Sequence, residues 1–463
     1  MLNASVAASF EQHRPYDIRR VEKLGVHFSS NDPVFTSVRH LQVSFYNKRG
    51  EDLASPQIFS AECKPEPDAL DLAAYFQRGR EIYLAVASRL RPVLAARTLL
   101  LAKDPIAENG IVWNLPGCYL PNGWQESGLD DLLVQDIVKN RLGLQARGAS
   151  FNLGGPYFPS VGSSIEACFP RAIDVAPPDF HTKELFGSEF HGHSRLSFLS
   201  LQQVISGFLQ GSIRDTRMVL AAFRLAARHG IELKVPFKLL SRGLGTPPLE
   251  DPAQLHSDLV ERIEVAEAAA PQNSFIKLRS LQVQNLSRDN RVLDQYHADT
   301  VTRPGIDSVD IGCYSWHQGR IYLPLRKGVR PTLAFRTLMG LAPEISPLDP
   351  GGVAESLEGE GSIEEIAARA AQGVREELGL EPLSCPYYLG ASYPSPGTNP
   401  ERAYSFLVEV DPSLRSEASC ALDERGGWAY APIEDVIKQG EDGAITDLRY
   451  LVNAYIIQAA MRG

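Results

Sequence analysis

The chain has 463 residues, which at roughly 100–200 residues per domain predicts two or three domains. Apolar residues make up 44% of the chain and charged residues 22%, and this composition excludes disorder over most of its length. The net charge of −10 argues against a nucleic-acid footprint that covers the whole molecule.

Residues 1–30 are expected to form an N-terminal arm or an extra strand. They begin MLNASVAASFEQHR, which lacks a basic segment followed by an apolar one, so no secretory signal is visible. Arginines interrupt the most apolar stretch, residues 82–102, which is therefore too polar for a membrane helix. The six cysteines lie far apart without a CxxC pair, as is typical of reduced thiols. We therefore expect a cytoplasmic protein without membrane association.

Residues 31–235 are expected to form a first α/β domain. Alternating apolar and polar residues predict strands at 38–46 and 81–87. Two helices joined by a Gly-x-Ile-x-Asp turn are predicted within 199–228. Residues 236–273 are expected to form a linker. Its residues 241–273 open with Gly and Pro and continue as an acidic stretch of helical period, which predicts a helix.

Residues 274–463 repeat the first domain. Residues 71–98 align with 310–337 without a gap and with eleven identities, which include Arg91 and Arg330. The arm has no recognisable counterpart in the second copy. We therefore expect one fold used twice, packed as an internal pseudo-dimer, while further homo-oligomerisation stays open.

A Gly-Gly loop precedes an acidic helix in the second domain. Residues 349–352 read Asp-Pro-Gly-Gly, and apolar residues at helical spacing predict a helix over 362–378 that ends at Gly379. Glycines let the backbone approach a ligand closely, and carboxylates on one helical face can hold Mg²⁺. This arrangement favours metal-assisted attack of water on a phosphate.

The second domain resembles Nudix hydrolases. Residues 376–380, Glu-Glu-Leu-Gly-Leu, match the end of the Nudix signature, and Glu364 falls at the spacing of its first Glu. Residues 302–331, 393–410 and 443–460 are similar to the corresponding segments of ADP-ribose pyrophosphatases. The resemblance implies an α/β fold with two α/β/α sandwiches of mixed sheets, each preceded by a small β-rich subdomain.

The resemblance also implies roles for individual residues. Two glutamates would hold Mg²⁺, with Mn²⁺ as the alternative. Two more would be catalytic, the first of them as general base or second metal ligand, and two arginines and a glycine would bind the substrate. In that order they are the metal ligands Glu376 and Glu377, the catalytic residues Glu401 and Glu364, and the substrate-binding residues Arg330, Arg91 and Gly352.

Both domains depart from the family pattern. The family's Arg-Glu pair falls on Gln372 and Gly373, so one metal ligand is missing from the second domain. The alternatives that could reach the metal are Glu355, Glu358 and Glu360. The first domain has Lys-Asn-Arg-Leu-Gly-Leu at 139–144 with no Glu pair, which predicts a lost metal site there.

Two functions stay open. In the first, the second domain is a Nudix-type hydrolase that cleaves the diphosphate of ADP-ribose or of a nucleotide sugar, and the first domain is non-catalytic. In the second, both domains are inactive, and the chain binds a nucleotide-like small molecule or a protein partner. Loss of the acidic pair in the first domain and of one ligand in the second favours the binding role.

Overall fold

The computed structural model describes residues 20–27, 36–47, 49–95, 97, 111–121, 124, 131–180, 182–185, 194–239, 262–269, 275–286, 292–341, 348–357, 361–415 and 428–462. The strands are β1 Arg20–His27, β2 Ser37–Tyr46, β3 Gln57–Cys63, β4 Ala69–Arg78, β5 Glu81–Leu90, β6 Ile111–Asn114, β7 Gly117–Tyr119, β8 Phe151–Asn152, β9 Cys168–Asp174, β10 Thr182–Leu185, β11 Ser194–Ser200, β12 Arg262–Ala268, β13 Lys277–Leu286, β14 Val292–Thr302, β15 Asp307–His317, β16 Arg320–Val329, β17 Leu348–Gly351, β18 Val353–Leu357, β19 Leu380–Pro382, β20 Tyr387–Ser392, β21 Ala403–Arg415 and β22 Trp428–Pro432.

The helices include two that continue into a π-helical turn. They are α1 Pro92–Ala95, α2 Asp131–Asp136 with its π turn Ile137–Arg141, α3 Leu201–Leu209, α4 Thr216–Arg228, α5 Pro331–Leu338, α6 Ile363–Gly373 with its π turn Val374–Leu378, α7 Ile433–Glu441 and α8 Leu448–Arg462. None of the helices described is both long and apolar enough to cross a membrane.

Two eight-stranded mixed sheets follow the same pairing plan. In the first, β4 forms a hairpin with β5 and runs parallel to β9; in the second, β15 forms a hairpin with β16 and runs parallel to β21. The strands β6 and β11 flank β5 as β17 and β22 flank β16. The predicted α/β class with mixed sheets is therefore confirmed. We call the parts built on these sheets the first unit and the second unit.

The side-chain alternation of β15 separates the two faces of the second sheet. Val309, Ile311 and Cys313 belong to the core that includes α6. Tyr314 belongs to a different core, which includes α7 and α8, and a Cβ on Gly312 would lie 3.1 Å from the Asn453 side chain on α8. Because successive strand residues point to opposite faces, α6 and α8 lie on opposite sides of this sheet.

One core joins the two units. It contains residues of β5 and β16 together with residues of α3, α4, α7 and α8. Across it the rings of Phe223 on α4 and Tyr455 on α8 stack with centroids 5.4 Å apart. The helices of both units therefore form a central layer between the sheets, while α2 covers the outer face of the first sheet and α6 the outer face of the second.

The small sheets exchange strands between the units. β1 precedes the first unit but pairs with β13 of the second, and β12 precedes the second unit but pairs with β2 of the first. The registers correspond: Arg20 lies opposite Leu286, and Arg262 lies opposite Tyr46. The expectation that the N-terminal arm has no counterpart in the second copy is therefore wrong, because β12 occupies the equivalent place.

The expected helical linker is also corrected over its described part. Arg262–Ala268 forms the strand β12, whereas residues 240–261 lie outside the described residues. The sequence of β12 alternates the β-branched Ile263 and Val265 with Glu264, a period of two that suits a strand. Pairing along the whole of β12 with the edge of β2 then outweighs the helical period of the acidic stretch.

Two buried arginines cross between the units reciprocally. Arg97 of the first unit contacts Asp307 with 2.8 Å between Nη2 and Oδ2, and Arg336 of the second unit contacts Asp68 with 2.6 Å between Nη1 and Oδ1. Both arginines are almost completely buried. The gapless repeat aligns Arg97 with Arg336, so each unit provides the same residue to the other.

Arg336→Ala is expected to lower the free energy of unfolding by about 3–5 kcal/mol, because it leaves the buried Asp68 carboxylate without its cation. Arg320→Ala is the matched control, since Arg320 and Glu434 are 3.7 Å apart and both exposed, and it should cost about 0–1 kcal/mol. Urea unfolding measures both. Equal losses in the two variants would contradict a structural role for the crossing pair.

Candidate functional site

The second sheet separates the predicted site residues onto its two sides. Glu376 and Glu377 lie in the π turn that follows α6. Glu401 accepts a hydrogen bond from Ser308 Oγ at 2.6 Å, and Ser308 alternates along β15 with Val309, which packs in the α6 core. Glu401 therefore lies on the α8 side, and the structure does not bring it together with Glu376 and Glu377.

On the α6 side, each predicted metal ligand faces an arginine. Glu377 is buried, with its Oε2 2.7 Å from Nη2 of Arg326. Glu376 is partly exposed and lies 3.2 Å from Nη1 of Arg369, which also contacts Glu355 at 2.5 Å through Nη2. Two guanidinium groups thus neutralise most of the negative charge of three carboxylates.

Glu355 occupies the space that a side chain at position 373 would need. A Cβ on Gly373 would lie 2.5 Å from Glu355 Cγ and 3.2 Å from its carboxyl carbon. Among the alternative ligands, Glu355 therefore reaches the helix, whereas Glu358 and Glu360 lie outside the described residues. Glu364 is exposed in the first turn of α6, at the opposite end from the π turn.

This donor set does not fit a magnesium ion as it is arranged. Mg²⁺ requires oxygen ligands at about 2.0–2.1 Å in octahedral geometry, and here guanidinium groups already bind the carboxylate oxygens. Within the described ranges no group of three or more His, Cys, Asp or Glu side chains is arranged to hold a metal ion.

On the α8 side, Arg449 binds two buried carboxylates. Its Nη1 lies 3.0 Å from Asp310 Oδ1 and 3.1 Å from Glu401 Oε1, and Arg303 lies 3.5 Å from Glu401. Asp447 caps α8 by accepting from the backbone N–H of Arg449 at 3.0 Å. Glu401 is therefore held by two cations within an ion cluster.

The pKa values of the two carboxylates that Arg449 binds are shifted in opposite directions. Burial disfavours the charged form of Glu401, but the charges of Arg303 and Arg449 outweigh burial and lower its pKa. Burial raises the pKa of Asp310 to about 7, since the attraction of Arg449 only partly offsets it and Glu401 and Asp447 add repulsion.

The first unit contains a matching cluster. Arg217 lies 3.6 Å from Asp71 and 3.9 Å from Glu166, and Lys64 forms an ion pair with Glu166. Sequence reasoning did not single out Asp310, Asp447 and Arg449 as site residues. The repeat could have identified them, because the first unit has the same residue types at the aligned positions. These are Asp71, Asp215 and Arg217.

The two predicted substrate arginines have different surroundings. Arg91 donates from Nε and Nη2 to Asn114 Oδ1 at 3.3 and 3.2 Å, and Asn114 Nδ2 donates to Asp215 at 2.9 Å. Gly351 takes the place of Asn114 in the second unit, since Asn114 lies opposite Ala87 of β5 and Gly351 lies opposite the aligned residue of β16.

Arg330 consequently has no such partner. It is half-buried at the N-terminus of α5, its side chain makes no hydrogen bond or ion pair with any described residue, and its Nε is buried. Its guanidinium packs over Gly328, and a Cβ on Gly351 would lie 3.6 Å from Arg330 Nη2 and 3.1 Å from Asp447 Oδ2. The Gly351 backbone thus lies between a cation and an anion that no side chain connects.

Gly352 is required by a close aromatic contact. A Cβ at this position would lie 2.7 Å from Cδ2 of Tyr450, whose hydroxyl donates to the Pro324 carbonyl at 3.1 Å. The glycine therefore lets the loop lie against α8, next to Asp447. Its backbone is placed on the same side of the sheet as Arg330.

No protein-family model matches the chain, and no curated protein matches it at a significant level. Among solved structures, the chain is similar to one described as "Crystal structure of ADP compounds hydrolase", with 11% sequence identity and a TM-score of 0.29. The similarity covers 42% of this chain and 91% of that one. At this TM-score the similarity carries no argument about function.

Asp310→Asn is expected to make unfolding less dependent on pH. The folded protein holds a proton at Asp310 up to about pH 7, whereas the unfolded chain releases it near pH 4. The free energy of unfolding of the wild type therefore decreases as the pH rises from about 4 to about 7. The variant should be more stable than wild type at pH 8, by up to about 4 kcal/mol, and the difference should vanish near pH 4. Unfolding by urea across this range, with exposed Glu434→Gln as the control, measures it. A difference that stays constant with pH would contradict the raised pKa.

Proposed function

We propose that the second unit binds the phosphate of a nucleotide-like small molecule and that Arg330 is the anion-binding side chain. The observation that carries the proposal is that Arg330 is unpartnered among the described residues, whereas its counterpart Arg91 is satisfied by Asn114. A guanidinium offers a planar set of donors that binds phosphate in a bidentate manner. The absence of a side chain at Gly351 leaves the guanidinium without the amide partner that Asn114 provides in the first unit.

The chain is, in this proposal, one Nudix-like fold used twice and packed as an internal pseudo-dimer. The shared pairing plan of the two eight-stranded sheets supports duplication. The reciprocal contacts support a pseudo-twofold arrangement, as the backbone N–H of Phe158 donates to Thr446 and that of Tyr393 donates to Arg214. The first unit then has a supporting role, because its own Asn114 fills the place of the ligand.

Arg330→Ala is expected to weaken ADP-ribose binding by about tenfold or more, since it removes charge-assisted hydrogen bonds to phosphate. Arg91→Ala is the matched control in the first unit and should leave binding unchanged. Isothermal titration calorimetry with ADP-ribose measures both variants against wild type. Unchanged affinity in Arg330→Ala, or an equal loss in Arg91→Ala, would overturn the assignment.

A second candidate is a Nudix-type hydrolase in the second unit, and the position of Glu355 favours it. The Glu355 side chain lies where a side chain at position 373 would lie. In this candidate, Glu355 on β18 therefore replaces the glutamate that the family has at this position of the helix. Arg326 and Arg369 bind the carboxylates of the α6 side, and we therefore rank hydrolysis below binding.

Mg²⁺-dependent release of AMP from ADP-ribose distinguishes the two candidates. The binding role predicts equal, background-level release by wild type and Glu377→Gln, because Glu377 is engaged with Arg326. Clear release by wild type that falls about a hundredfold or more in both Glu377→Gln and Glu355→Gln would establish the hydrolase and its ligands instead. Retained folding of the variants is checked by their thermal unfolding.

A further inference from the structure

The two units fill the place beside the π turn in different ways. In the second unit it holds two guanidinium groups and three carboxylates, which belong to Arg326, Arg369, Glu355, Glu376 and Glu377. In the first unit the equivalent place belongs to an apolar core that includes α2. Comparing the units position by position therefore shows which of the charges belong together.

Two of the five charged residues lie on strands. Arg326 of β16 aligns with Ala87 of β5 in the gapless repeat. Glu355 of β18 and Cys118 of β7 lie opposite aligned residues of β15 and β4, so they occupy equivalent positions. Ala87 is completely buried in the apolar core of the first unit, and Cys118 packs against that core. The first unit therefore has neither the arginine nor the glutamate of these strands.

The other three charged residues lie on α6 and its π turn. The Leu-Gly-Leu sequence at the end of both helices aligns them with residues of α2 and its π turn. The aligned pairs, with the second unit first, are Arg369 and Leu133, Glu376 and Asn140, and Glu377 and Arg141. Leu133 packs against the apolar core, whereas Arg141 is exposed. Both arginines and all three glutamates are thus present together in one unit and replaced together in the other.

Arg326 supplies a countercharge to a buried carboxylate. Its Nη2 lies 2.7 Å from Oε2 of Glu377, and both residues are more than nine-tenths buried. The Nε and Nη1 of Arg326 have no hydrogen-bond partner among the described residues, so its described polar contact is to Glu377. Because a buried carboxylate without a cation is costly, Glu377 requires this guanidinium or another cation in its place.

Arg369 bridges the two other carboxylates. Its Nη2 lies 2.5 Å from Glu355 and its Nη1 lies 3.2 Å from Glu376, and its side chain is three-quarters buried. One guanidinium therefore joins carboxylates from a strand and from the π turn, as a divalent ion does when it binds several carboxylates. Since Glu376 and Glu377 are consecutive, the two arginines together hold all three carboxylates at one end of α6.

We infer that Arg326 and Arg369 take the place of a divalent cation beside the three glutamates of the second unit. Two guanidinium groups carry the charge of one divalent ion, and they contact the carboxylate oxygens that such an ion would bind. A divalent ion then binds only where a guanidinium has been removed. Replacing the arginines should therefore create a metal site that the wild-type chain lacks.

Mn²⁺ binding to the full-length chain tests this exchange. Arg326→Met with Arg369→Met keeps the apolar parts of both side chains and removes both charges, so its affinity for Mn²⁺ should exceed that of wild type by about tenfold or more. Adding Glu377→Gln should return the affinity to the wild-type value, because it removes a ligand. Isothermal titration calorimetry with manganese chloride measures each variant.

Arg320→Met is the matched control. Arg320 lies on the same strand as Arg326, but it is exposed and 3.7 Å from the exposed Glu434. Its replacement removes the same charge outside the three-glutamate group, so the affinity for Mn²⁺ should stay at the wild-type value.

Arg369→Met alone covers the case that loss of the buried Arg326 prevents folding. Arg369 is partly exposed, and its removal leaves Glu355 and Glu376 without their shared cation. The affinity for Mn²⁺ should then rise by about threefold or more, and adding Glu355→Gln should cancel the gain. Thermal unfolding without added metal checks that each variant is folded.

Two results would overturn the exchange. One is Mn²⁺ binding by wild type that is lost in Glu377→Gln, since the carboxylates would then hold the ion with both arginines present. The other is a folded arginine variant, double or single, whose affinity for Mn²⁺ equals that of wild type. Phosphate binding at Arg330 is measured with ADP-ribose and without metal, so either proposal can fail while the other stands.

Discussion

The central layer of helices is the constraint on which the rest of the molecule depends. Both sheets bury their inner faces against α3, α4, α7 and α8, and these helices come from both units. The approach is close enough that a Cβ on Gly390 of β20 would lie 2.9 Å from the Phe208 carbonyl oxygen of α3. The repeat boundaries therefore mark copies of a sequence, and neither copy completes its core without the other.

The two units share the central layer of helices, and the effect of a sequence difference between them depends on where in each unit it lies. The cross-unit arginines and the ion clusters around Glu166 and Glu401 have the same plan in both units, as expected where a buried charge must keep its partner. One difference falls beside these clusters, at Asn114 against Gly351. Such a position can lose a side chain without removing a charge from an ion pair.

The sequence predicted the strands and the matching arginines because these features depend on local sequence patterns. Residues of alternating polarity predicted individual strands, and the gapless repeat paired Arg91 with Arg330. The strand exchange could not be predicted in the same way, because the pairing of β1 with β13 joins segments far apart in the chain and depends on how the units face each other. The placement of Glu355 over Gly373 is likewise set by the packing of β18 against α6, which sequence spacing along the helix does not show.

Charge balance supports the proposal that the second unit binds an anion and not a divalent cation. On the α6 side three carboxylates face Arg326 and Arg369, and on the α8 side Asp310 and Glu401 face Arg303 and Arg449, so these acidic groups already have arginine partners. A metal ion would have to displace guanidinium groups and leave them in a partly buried site, where an unpaired charge is costly. Arg330 differs, because its half-buried guanidinium has no carboxylate among its described contacts, and the phosphate that we propose it binds would supply the missing charge without breaking an existing pair.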